Sequence, residues 1–86
     1  MSYRNLIVES FSFDDDGEPS DDKVNVAISP MTVKYVQSMK SKMRGYENFN
    51  DALVYFVDDQ EPLPLLISDI DLAALNQAIS FYSYEY

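Results

Sequence analysis

The spacing of apolar and polar residues predicts an order of elements before any chemistry is considered. "NLIVESFSF" (residues 5–13) is rich in β-branched and aromatic residues with a rough two-residue alternation, and reads as a strand. "KVNVAIS" alternates cleanly: Val24, Val26 and Ile28 point one way, while Lys23, Asn25, Ala27 and Ser29 point the other. Ser29-Pro30 then has the form of a helix start. A serine hydroxyl can accept a free backbone N–H, and proline at the first helical position gives up only an N–H with no partner. Beyond it, Val33, Val36, Lys40 and Met43 fall along one helical side with Met39 beside them. Lys34, Gln37, Ser38 and Ser41 are polar, and Gly45 supplies a left-handed stop.

"ENFNDALVYFVDD" admits two readings. Its composition from Leu53 to Val57 suits a strand, whereas Phe49, Leu53, Phe56 and Val57 fall at helical intervals behind Asn50 as cap, with Asp51 near the positive helix end. Its neighbours favour the helix. Pro62 and Pro64 force an extended segment, and Ser68 caps a last helix with Asp69 and Asp71 in its first turn. In that helix Ile70, Ala73 or Ala74, and Gln77 or Ala78 form the stripe, flanked by Leu75 and Ile79. Phe81, Tyr82, Tyr84 and Tyr86 crowd the end, suiting either a packed terminus or an aromatic contact surface. The whole is one α+β domain over 1–86: a strand at 5–13, an acidic loop at 14–22, a strand-helix-helix unit at 23–57, and an extended segment with a helix at 58–86.

Composition narrows the chemistry. At 86 residues the core is small enough that dimerisation is a natural supplement, and 47% hydrophobic residues is too many for a disordered chain. With no cysteine and no histidine, disulfides, zinc sites and imidazole-relayed nucleophiles are excluded. No apolar run reaches a membrane span and the N-terminal pattern is not that of a signal peptide, so a cytoplasmic protein is expected. "DDDG" fails as a calcium loop, because Gly17 at the sixth position would put Ser12 first and Lys23 twelfth. No metal, cofactor or enzymatic activity is expected.

The net charge of −9 is unevenly laid out, at −5 over residues 1–30, +4 over 31–44 and −8 over 45–86. Lys34, Lys40, Lys42 and Arg44 form the basic stretch. A field of this overall sign repels nucleic acid and attracts basic proteins.

"VNVAISP", "TVKYVQSMKSKMRGY" and "NFNDALVYFV" together resemble the ribbon-helix-helix family of DNA-binding repressors over residues 23–57. The resemblance implies a homodimer whose paired strands enter the major groove of operator DNA, with base-reading side chains at Lys23, Asn25 and Ala27. It further implies phosphate anchoring near Asn48 and Asn50, at the start of the second helix. Repressors and antitoxins of this kind carry transcription regulation. Asp21 and Asp22 precede the reading strand directly, and Ala27 has no hydrogen bond to offer.

The charge supports a second expectation of a different class. Asp14, Asp15, Asp16, Glu18, Asp21 and Asp22, with Asp58, Asp59 and Glu61 as a second cluster, could imitate phosphates. The protein would then be an acidic inhibitor of phage anti-defence or anti-CRISPR type, a DNA mimic filling the groove of a basic nucleic-acid-binding protein.

Overall fold

The computed structural model of the chain describes residues 5–83. Five strands and one helix follow in chain order: β1 Leu6–Phe13, β2 Pro19–Ile28, β3 Val33–Lys40, β4 Phe49–Phe56, β5 Leu63–Ser68 and α1 Asp69–Ser83. The strands form one antiparallel sheet in the order β2-β1-β5-β4-β3.

This architecture overturns the strand-helix-helix reading of residues 23–57. Both segments expected to be helices are strands, β3 and β4, hydrogen-bonded to each other from Val33–Phe56 to Lys40–Asn50. The Ser29-Pro30 signal produces only one 3₁₀ turn over Pro30–Thr32, in which the Ser29 carbonyl accepts the Thr32 N–H at 3.0 Å and the Ser29 side chain caps nothing. "VKYVQSMK" satisfies strand alternation as well as helical spacing. Its Val and Tyr residues lose less side-chain freedom in a strand, and pairing with "FNDALVYF" satisfies its backbone while burying only Val33 fully and Val36 in part. Gly45 does take the left-handed conformation, at φ 92°, but in the turn between β3 and β4.

The link between β2 and β3 shapes the sheet. These strands are opposite edges, yet only residues 29–32 join Ile28 to Val33. Five Cα steps reach at most about 18 Å, while five flat strands would separate the edges by about 19 Å. The register adds an offset along the strands, since Ile28 lies opposite Leu6 and Val33 opposite Phe56 at the far end. A flat sheet cannot meet that demand. The sheet therefore coils, as strands do in a small barrel, until the two edges meet at one corner.

Coiling gives the sheet an inner and an outer face. Inward, Val8, Ile28, Val33, Ala52, Val54, Leu65 and Ile67 pack with Leu75 of α1, and Leu6, Val26, Val36, Phe56, Leu63, Leu72 and Ile79 surround them. Ser68 caps α1 by accepting the Asp71 N–H at 3.2 Å. The buried stripe of α1 is Leu72, Leu75 and Ile79, not the one built on Ile70, which is 80% exposed. Tyr84 and Tyr86 lie outside the described residues, and no described helix is long and apolar enough to cross a membrane.

Candidate protein-binding surface

Two acidic loops leave the sheet side by side. β1 and β5 are neighbours running in opposite directions, so the turn after β1 and the loop before β5 emerge at the same end. Phe13 and Pro64 confirm the proximity by lining one groove. The β1–β2 turn is closed by the Asp14 N–H donating to the Glu18 carbonyl at 2.8 Å and by Gly17 N–H to the Asp14 carbonyl at 3.0 Å. The Asp14 carboxylate also accepts the N–H groups of Asp16 and Glu18 at 3.0 and 2.9 Å. Gly17 sits at φ 81°, the left-handed position such a turn requires. Asp15, Asp16 and Glu18 are left projecting into solvent.

The adjoining loop contributes Asp58, Asp59 and Glu61, all exposed. Residues 14–18 and 57–62 contain no base. None of their carboxylates belongs to an ion pair; those among the described residues are Lys23 with Glu9 and Lys40 with Asp69. Asp21 and Asp22 lie apart, on β2, where Asp21 accepts the Tyr46 hydroxyl at 3.4 Å. Burial, followed by the charge and hydrogen bond of Asp21, holds the Tyr46 phenol above its usual range.

Below this acidic end the outer face carries a groove of about 520 Å³, lined among others by Phe13, Gln37, Met39, Asp51, Leu53 and Pro64. Its residues come from β1, β3, β4 and β5, so only the folded sheet assembles it. Beside it Tyr35 and Tyr55 stack at 4.4 Å with a 15° angle between rings, and the Tyr55 hydroxyl donates to Gln37 Oε1 at 3.4 Å.

The residues expected to read DNA do share a face. Lys23, Asn25 and Ala27 lie on the outer side of β2, opposite Phe11, Glu9 and Ile7 of β1. Lys23 is occupied there: its ammonium lies 3.7 Å from Glu9 and 5.0 and 5.6 Å from the ring centres of Phe11 and Phe49. Those rings meet edge to face at 4.9 Å, and Phe11 meets Tyr46 likewise at 5.1 Å. β2 pairs with β1 of the same chain along its length, as an edge strand rather than a free ribbon.

The phosphate-anchoring pair is separated. Asn48 is exposed in the β3–β4 connection, whereas Asn50 is buried in β4. The Asn50 amide donates to the Ile67 carbonyl at 3.3 Å and to Asp69 Oδ1 at 2.7 Å, the oxygen that also receives Lys40 at 2.7 Å. Those two bonds, the Asn50 one first, hold the Asp69 carboxyl below its usual range. Asn50 therefore ties β4 to the start of α1 and caps no second helix. Lys34, Lys42 and Arg44 are exposed and form no ion pair among the described residues.

Sequence reasoning located the acids but missed the groove. The alternation of Tyr35, Gln37 and Met39 within "VKYVQSMK" was the available signal, and it competed with a helical spacing of similar quality. No three His, Cys, Asp or Glu residues among those described are placed to hold a metal ion. No family model, curated protein or solved structure matches the chain.

Proposed function

We propose that this chain is a small non-enzymatic inhibitor that binds a basic protein surface of the kind that otherwise holds nucleic acid. The observation that carries the reading is the convergence of the two acidic loops at one end of the sheet, seven carboxylates with no base in either loop. Carboxylates concentrated in this way make a local negative field that speeds encounter with a cationic groove and competes with phosphates for its lysines and arginines. The reading requires no dimer, and it places the chain with its partner in the cytoplasm.

Operator reading is less well supported. It needs a free two-chain ribbon and a helix start at Asn50, and the fold offers neither.

The test compares two charge-neutralised variants for binding to a fluorescently labelled nona-arginine peptide over a salt series. One replaces Asp14, Asp15, Asp16, Glu18, Asp58, Asp59 and Glu61 with Asn or Gln. The other neutralises Glu9, Asp21, Asp22, Glu47, Asp69, Asp71 and Glu85 to the same net charge. Selective loss of affinity and of salt dependence in the first variant is expected. Equal loss in both would reduce the effect to overall charge and overturn the reading.

A further inference from the structure

Asp51 stands in the outer-face groove with apolar residues directly opposite and beside it, Gln37 and Ser38 being the groove's other polar lining. The register places Met39 and Leu66 directly opposite it on the flanking strands, and Phe49 and Leu53 are its same-face neighbours along β4. Its side chain is half-buried, and its carboxylate makes no hydrogen bond or ion pair among the described residues. A carboxylate in such surroundings interacts more strongly with an incoming cation than a fully solvated one, because less water screens the pair.

We infer that this groove receives one arginine side chain of the basic partner, an inference that deepens the reading above and rests on it for the partner's class. The apolar wall formed by Phe13, Met39, Leu53 and Pro64 matches the aliphatic stem of an arginine. The guanidinium is planar and weakly hydrated, can bond a carboxylate through two N–H groups, and stacks on aromatic rings. Asp51 offers the carboxylate, and Phe13 offers a ring on the same groove. The acidic loops above the groove raise the local concentration of cationic segments and leave Asp51 to select among them.

The experiment uses backbone amide NMR of the full chain titrated with acetyl-Gly-Arg-Gly-amide and with the same peptide carrying citrulline, which keeps the shape and removes the charge. Saturable shifts at Met39, Asp51 and Leu53 with the arginine peptide alone are expected. Asp51→Asn, which preserves size, should weaken them about tenfold, the loss of one charge-assisted contact. Met39→Lys, which sets an internal cation opposite Asp51, should also weaken them. Equal shifts from the citrulline peptide, undiminished binding by Asp51→Asn, or shifts confined to residues 14–18 and 58–61 would overturn the inference. The two proposals fail separately. If Asp51→Asn binds nona-arginine like wild type while the loop-neutralised variant does not, the groove inference falls and the acidic-end reading stands. If the loop-neutralised variant still binds the tripeptide at Asp51 and keeps its nona-arginine affinity, the acidic-end reading falls alone.

Discussion

The hydroxyl oxygen of Ser10 accepts the backbone N–H of Leu66 at 2.9 Å across a seam where β1 and β5 share one ladder pair, Ser10 with Ile67. Ser10 is only 2% exposed and donates its own proton to the Phe11 carbonyl at 2.9 Å. It thus joins the β1–β2 hairpin to the β3–β4–β5 meander where backbone pairing is sparse. Ser10→Ala leaves the Leu66 N–H buried without this acceptor, at a cost of about 1–3 kcal/mol. Urea unfolding should show a lower midpoint with an unchanged slope, and hydrogen exchange at Leu66 should speed up more than exchange along β3–β4.

The Asp69 carboxyl, held below the ordinary range by Asn50 and Lys40, makes stability depend on pH on the acid side. A group whose folded pKa is depressed stabilises the fold above its unfolded pKa, near 4 for aspartate, and the contribution disappears as pH falls through the lower folded value. Thermal melts should therefore decline as pH drops below about 4. In Asn50→Ala the decline should be shallower, and stability at pH 7 lower by about 1–3 kcal/mol because a buried hydrogen-bond donor is removed.

Gly17 tests the acidic turn. A Cβ there would meet nothing within 4 Å, so the cost of Gly17→Ala comes from its φ of 81° alone. That cost is about 1 kcal/mol. A melting temperature lowered in Gly17→Ala and unchanged in Asp15→Ala would confirm that the turn depends on backbone conformation and that its projecting carboxylates are free for binding.

Lys23 is expected to behave as a packing residue. Lys23→Met keeps the stem and removes the contacts with Glu9, Phe11 and Phe49, which should cost under about 1 kcal/mol. Binding to nona-arginine should not weaken. Retention of duplex DNA by the wild-type chain at low salt, lost in Lys23→Met, would contradict this and restore a DNA-reading role to β2.

Some elements were legible from local pattern because each has one local solution. β1 and the part of β2 from Lys23 onward show strand alternation, and Ser68 followed by Asp69 and Asp71 marks a helix start whose partners lie within one turn. β2 nevertheless begins at Pro19, inside the stretch 14–22 expected to be loop, because Pro19 to Asp22 continue the pairing with β1. β3 and β4 were not legible. Their apolar residues satisfy both periods, and the choice falls to cross-strand partners such as Tyr35 with Tyr55 and Val36 with Val54, which no local window contains. Asn50 shows the same limit within one residue: its cap-like chemistry is real, but it is spent on Ile67 and Asp69, 17 and 19 residues away.

The sequence by itself determined a charge of −9, the absence of cysteine and histidine, and two acidic runs with no base inside them. These follow from residue identity and hold in any fold. Only the tertiary structure decided that the two runs meet, that Lys23 is engaged, and that Asp51 lies without an ion pair among the described residues in a mainly apolar groove. Each depends on which strands become neighbours, and a coiled sheet joined across its edges by four residues settles that through long-range pairing.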